Sequence, residues 1–298
     1  GIPAQTWVSS IEPSLFDKKV VYATFDNHMY GDHKTYAAVS KDMGKTWTMF
    51  TSIEFTGFAH KIKEDLKNKD LLFLGTEMGL FASLDGGQNW FRMKNKIPEY
   101  VLARDIKIHP TTHDLVIGTH GRGIIIVDDI SPMRSMKKEI AEKDVVLFQT
   151  PPLVLTMGQF GSGGFPSTGG WIAGNPASIP PLKYYLKDRL NTGEVKADIY
   201  DASGKLVQSI PGSKRKGINM LSWNLRMNPP KVATGGTKLD FSGFVAPMVL
   251  PGDYTLKLKV GDSVYTSPLK VVHDVSNKDF TLEDRKLQYK TAMELYKM

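Results

Sequence analysis

No cysteine occurs in the 298 residues. Disulfide staples, zinc–thiolate sites and thiol nucleophiles are therefore excluded, while the redox compartment stays open. No apolar run approaches the roughly 18 residues of a membrane-spanning helix, and the first residues show no signal-peptide pattern. Lys and Arg outnumber Asp and Glu by 38 to 31, a net charge of +7, yet they form no block. The charge reads as a solvated basic surface, so no nucleic-acid or membrane partner is expected. What remains is a globular composition, 41% hydrophobic and 23% charged, with length enough for two domains and a substantial core.

One pattern is present twice. Ser40, Asp42, Gly44 and Trp47 form a Ser-x-Asp-x-Gly-x-x-Trp stretch, and Ser83, Asp85, Gly87 and Trp90 repeat it 43 residues later. Each copy lies between an alternating apolar run and a short aromatic one, as a turn joining two strands would. Gly permits the tight backbone, the Asp side chain accepts bonds from the turn's own amides, and the Trp packs beneath. These eight residues read as structural fasteners. Repetition at this period marks a β-propeller, one four-stranded blade per unit.

The turns set a register for the first half. In the second copy, strands are expected at 58–63, 71–76, 79–83 and 89–93. A shift of 43 gives a third copy at 103–108, 115–119 and 123–128, in which Asp128 keeps the turn's acid but Ile126, Ile130 and Met133 replace its Ser, Gly and Trp. The first copy occupies 7–11, 20–25, 35–40 and 46–50, with an insertion of about nine residues at 26–34 between its second and third strands. Three blades do not close a ring, which takes typically four to eight. The remaining blades are therefore expected from the same or another chain, and the chain is read as the C-terminal portion of a longer protein.

The two turns resemble the Asp-box, or bacterial neuraminidase, repeats found in sialidases, in two-propeller xyloglucanases and in the sortilin-type propeller. The run from His109 to Ile124 resembles the last blade of secreted bacterial proteins labelled glycosyl hydrolase or sortilin-like. The resemblance covers residues 1 to about 135. It implies a secreted, periplasmic or outer-membrane-associated bacterial protein.

Residues 136–181 read as a linker, with a helix-capable stretch at 133–143, one strand at 145–148, the break Pro151-Pro152, and a Gly/Pro-rich surface loop at 157–181. From Leu182 the pattern alternates with period two. Val195, Ala197 and Ile199 share one face, as do Leu221, Trp223 and Leu225, and Tyr254, Leu256, Leu258 and Val260; Gly261-Asp262 marks a hairpin. Short strands at this spacing predict an immunoglobulin-like β-sandwich over 182–275. The segments around Asp198–Lys205, Leu221–Asn224 and Pro251–Tyr254 resemble the flagellar-hook-cap type of that module, which implies an accessory role. A helix is expected over 276–298, opened by Thr281-Leu282-Glu283-Asp284, with Leu282, Tyr289, Met293 and Tyr296 on one face. The chain stops within that helix, which again reads as a boundary inside a longer protein. The fold class is thus all-β: about three four-stranded propeller blades, a sandwich and a C-terminal helix.

Turns after a blade's second strand lie opposite the fastener turns. They carry Asp26, His28, Tyr30, Asp32 and His33, then Glu77, then His120 and Arg122. Acids, imidazoles, an aromatic and a guanidinium suit a sugar or a peptide. Asp26, His28, Tyr30, His33, His120 and Arg122 are taken as binding residues. A glycosidase needs two carboxylates across the scissile bond, for which Asp32 (or Asp26) with Glu77 are the candidates. Asp32 and His33, adjacent in sequence, make a poor metal pair alone, and no cofactor motif is present. Three functions follow: a non-catalytic propeller protein that binds a protein or glycan, a glycoside hydrolase acting together with further blades, or a subunit of a larger outer-membrane or secretion assembly.

Overall fold

The computed structural model describes residues 1–94, 97–156, 179–230, 246–276 and 278–297. The chain divides into two compact units, Gly1–Ala141 and Glu142–Met298.

In the first unit, Trp7–Pro13 (β1), Val21–Asn27 (β2), Asp32–Ser40 (β3) and Thr48–Met49 (β4) form an antiparallel sheet in chain order. Ala59–Glu64 (β5), Leu72–Thr76 (β6), Gly79–Ser83 (β7) and Phe91–Arg92 (β8) repeat it. A third sheet holds Leu102–Ile108 (β9), Leu115–His120 (β10) and Ile124–Val127 (β11). These are three successive blades of a partial β-propeller.

The middle blade shows why the blades stack. Every residue of β6 and β7 is buried, because both sheet faces are covered. Alternation along one strand sends Leu72 and Leu74 into a core with Tyr22, Phe50 and Ile62 of the first two blades. Phe73 goes the other way, into a core with Ile106, Leu115 and Ile117 of the third. Polar bonds reinforce the first junction. Glu12 pairs with Lys61 and Lys63, and buried Glu64 accepts from Ser14 Oγ, the Leu15 amide and Tyr22 Oη at 2.8–3.0 Å.

The third blade has three strands where four were expected. After Val127 the chain enters a short helix, Ser131–Ser135 (α1), with Pro132 in its first turn. Proline supplies no amide for a ladder, and the Gly and Trp of the fastener turn are missing here. Arg134 of α1 instead donates Nε and Nη2 to the fully buried Asp65, at 2.8 and 2.7 Å. A single-turn helix, Lys138–Ala141 (α2), follows.

The second unit is a two-sheet sandwich. Val145–Leu147 (β12), Leu182–Leu186 (β14) and Gly217–Leu221 (β17) form one sheet. Leu153–Leu155 (β13), Val195–Asp201 (β15), Leu206–Pro211 (β16), Gly252–Val260 (β18) and Ser263–His273 (β19) form the other, in the order β13-β19-β18-β15-β16. Leu182, Tyr184 and Leu221 from the first sheet meet Ala197, Ile199, Leu256 and Leu258 from the second in a common core, with Trp223 edge-on to Tyr254. Strands β12 and β13 lie in the stretch read as linker. Pairing corrects that reading: β12 runs antiparallel to β14, and β13 runs parallel to β19. Helix Leu282–Lys297 (α3) starts at Thr281, whose hydroxyl accepts the Asp284 amide while the Asp284 carboxylate accepts the Thr281 amide. Its Tyr289, Met293 and Tyr296 pack on the sandwich core. The Gly/Pro-rich loop at 157–178 lies outside the described residues.

Candidate functional site

The two Ser-x-Asp-x-Gly-x-x-Trp turns have one bond set. Ser40 Oγ and Ser83 Oγ each donate to the turn's Asp at 2.8 Å and accept the Gly44 or Gly87 amide at 2.7 and 2.8 Å. Asp42 accepts the Thr46 amide and hydroxyl, as Asp85 accepts the Asn89 amide and side chain. Trp47 and Trp90 each donate Nε1 to the Gly carbonyl at 3.1 Å. Hydrogen bonds hold the Asp42 carboxyl near 2, the Thr46 hydroxyl foremost. The donors bonded to these acids belong to their own turns.

At the other end of the strands, the insertion of the first blade folds into a single 3-10 turn, His28–Tyr30, closed by Gly31 at φ 74°. Asp26 anchors it by accepting the His28 amide at 2.9 Å and facing the His28 ring nitrogen at 2.7 Å. The His28 ring lies flat on Phe58 of the second blade, centroids 4.6 Å apart. His33 approaches the same ring at 6.0 Å, and His60 meets it edge-on at 5.0 Å. His60 Nε2 then sits 3.0 Å from Glu77 Oε2.

The structure thus brings Asp26, His28, His33 and Glu77 together around two residues that sequence reasoning missed, Phe58 and His60. Phe58 immediately precedes β5 and His60 is the second residue of that strand, and their rings meet edge-on. His60 is buried, and burial pushes its pKa below the ordinary 6.5; the Glu77 bond pulls it up, the charge of Arg104 pushes it down, and Asp26 raises it. One residue from each blade (Asp26, Glu77 and Arg104) therefore acts on a single imidazole.

The other candidates fall elsewhere. Asp32 accepts from Tyr36 Oη at 2.8 Å, Asn27 Nδ2 at 3.2 Å and the Lys34 amide at 3.2 Å. These bonds, Tyr36 first, hold its carboxyl below the usual range. Tyr30 is exposed, and its hydroxyl donates to Gln5 Oε1 at 3.5 Å. His120 ends β10, and Arg122 stands in the exposed turn that follows. Neither is joined by a hydrogen bond or ring contact to the His60 cluster among the described residues. Beside the cluster, His33, Asp32 and Lys34 face Phe50, Ser52 and Phe55 of the blade connection across an open concavity of about 640 Å³. No group of three metal-ligating side chains gathers among the described residues, and no described helix is long and apolar enough to cross a membrane.

No protein-family model and no curated protein matches the chain. Among solved structures it is similar to a GH74 enzyme of Niastella koreensis, at 14% identity over 88% of this chain and 38% of that one, TM-score 0.36. It is similar to PorZ, an essential bacterial surface component of the type-IX secretion system of Porphyromonas gingivalis, at 13% identity over 89% and 30%, TM-score 0.31. A third is YCF48 bound to D1 peptide, at 10% identity over 92% and 69%, TM-score 0.29. The chain therefore spans well under half the length of the first two. At these values no activity passes from those proteins to this one.

Proposed function

We propose that this chain is part of a secreted or cell-envelope propeller protein whose face around Phe58 and His60 binds a protein or glycan partner without acting on it chemically. The state of the acids carries the reading. A glycosidase general acid needs a carboxyl whose pKa is raised, so that it holds a proton near neutrality. Asp32 is pushed the opposite way by three donors and so does not fit the acid's part, and Glu77, the other candidate, lies 3.0 Å from His60 Nε2. One imidazole stacked on a phenyl ring with two more around it, beside a concavity with aromatic walls and a rim of hydroxyls and charges, suits a ligand with both apolar and hydroxyl surface.

Further blades, from the same or another polypeptide, complete the proposal. Trp90 is covered by Phe50 and Phe55 of the connection from the preceding blade, while its counterpart Trp47 is exposed, as are Ile11 on β1 and Ile124 and Ile126 on β11. Both outer sheet faces carry the apolar residues that a neighbouring blade would cover. The sandwich, read as immunoglobulin-like, is assigned an accessory role, and the envelope location follows from the repeat resemblance.

Glycan and peptide arrays probed with the whole chain test the reading. Retention on a defined set, weakened about tenfold or more by His28→Ala or His33→Ala, is expected, with no product released from the glycans. Product release that stops in Asp32→Ala or Glu77→Ala would replace this reading with the hydrolase one.

A further inference from the structure

Helix α3 buries one charged residue along with its apolar face. Arg285 lies between Leu282 and Tyr289 on that face and is 2% exposed. A guanidinium stays charged at any ordinary pH, so taking it from water is unfavourable unless an anion and a full set of acceptors replace the water.

Arg285 has neither. Its acceptors are neutral: Gln288 Oε1 at 3.2 Å and Met248 Sδ at 3.5 Å for Nη1, and the carbonyls of Thr156 at 3.3 Å and Leu155 at 3.5 Å for Nη2. Phe280 lies under the guanidinium, 4.7 Å away. The buried Nε has no acceptor. A second guanidinium, Arg226, is half-buried nearby and donates Nη1 to the Ala246 carbonyl at 2.7 Å. No carboxylate pairs with either among the described residues. Burial lowers the pKa of both, and the charge of Arg226 lowers that of Arg285 further.

Both arginines line one cleft of about 350 Å³ whose walls include Met248, Tyr289 and Leu295. Two like charges line one cleft with no carboxylate beside either among the described residues, which suits an anion; half-buried Arg226 is the one reachable from the cleft, and the arginine fork matches a carboxylate. The apolar walls add a requirement for an apolar body behind that anion. We infer that the cleft between α3 and the segment where Arg226 pairs backbone to backbone with Met248 binds a carboxylate carried on an apolar group. A free organic acid and the C-terminal residue of a peptide share that chemistry.

Calorimetric titration of the whole chain tests this, with 4-phenylbutyrate, the peptide acetyl-Gly-Ala-Phe with a free carboxylate, the same peptide as its C-terminal amide, and inorganic phosphate as probes. At least one carboxylate probe is expected to bind, with the amide and phosphate weaker by about tenfold or more. A tighter acid marks a small-molecule site, a tighter peptide a terminus receptor, and either supports the inference. Arg226→Gln is expected to weaken binding by about tenfold or more without moving the melting temperature. Should that variant melt early, Ala292→Phe, which fills the cleft and keeps both arginines, is expected to give the same loss. Absence of binding by both carboxylates, equal binding of amide or phosphate, or full binding in the variants that fold would overturn the inference.

Discussion

Trp90 and Trp47 hold the same place in successive turns and make the same 3.1 Å bond to a glycine carbonyl, yet Trp90 is 6% exposed and Trp47 40%. Phe50 and Phe55, ring centroids 5.4 and 5.5 Å away, account for the difference. Trp90→Ala is expected to cost about 3–5 kcal/mol, and Trp47→Ala no more than about 2 kcal/mol. Urea denaturation of the two variants measures both.

The glycines beside them diverge for the same reason. A Cβ on Gly87 would run into the Phe50 ring, whereas one on Gly44 would meet only Trp47, at 3.8 Å. Both have positive φ, 91° and 84°. Gly44→Ala is expected to cost about 1–2 kcal/mol of backbone strain. Gly87→Ala adds overpacking of about 1–3 kcal/mol to that strain. One residue earlier, Met43 sits at φ 63° where the second turn has Gly86 at 71°, so Met43→Gly is expected to raise stability by about 0.5 kcal/mol. Equal costs at Gly44 and Gly87 in chemical denaturation would contradict the stacking.

Asp65 and Arg134 tie α1 to the second blade. Asp65 also accepts the Lys67 and Asn68 amides at 2.9 Å, so removing Arg134 strands a buried charge. Arg134→Met is expected to cost about 3–5 kcal/mol, and the double variant with Asp65→Asn less than the sum of the two singles. Additive losses in a double-mutant cycle would show the pair to be uncoupled.

His60 sets a pH dependence. The unfolded chain protonates it near 6.5, while the folded chain, with a lowered value, takes the proton later. Between the two values the unfolded state binds more protons, so stability falls as pH drops through about 6.5 and stops falling below the native pKa. His60→Gln is expected to flatten the decline between about pH 7.5 and 5. Glu77→Gln removes the group that pulls the pKa up, and steepens it. Melting temperatures across that range decide; a profile unchanged in His60→Gln would contradict the assignment.

Much of the first unit was legible because turn chemistry and period-two alternation are local. Two identical turns fixed the register, and the loss of Gly and Trp near Asp128 foretold an altered third copy. Strands β12 and β13 were missed as sheet members because each is three residues long, flanks Pro151-Pro152, and finds its partners far away in sequence. The site was half legible. Turn residues such as His28 and Glu77 stand out by position, but Phe58 and His60 look like ordinary strand residues until a second blade is laid against them. Arg285 left a trace: a charge at an apolar position of the α3 pattern.

The central claim is that the end of the blades around Phe58 and His60 is a binding face and the opposite end a set of fasteners. Affinity of the array-selected glycan or peptide, measured by calorimetry for His28→Ala and for Thr46→Ala on the opposite turn, tests it most directly. The account predicts a loss of about tenfold or more for His28→Ala and less than about twofold for Thr46→Ala, with the ligand recovered intact. The reverse order of losses, or cleavage of the ligand during the titration, would contradict it.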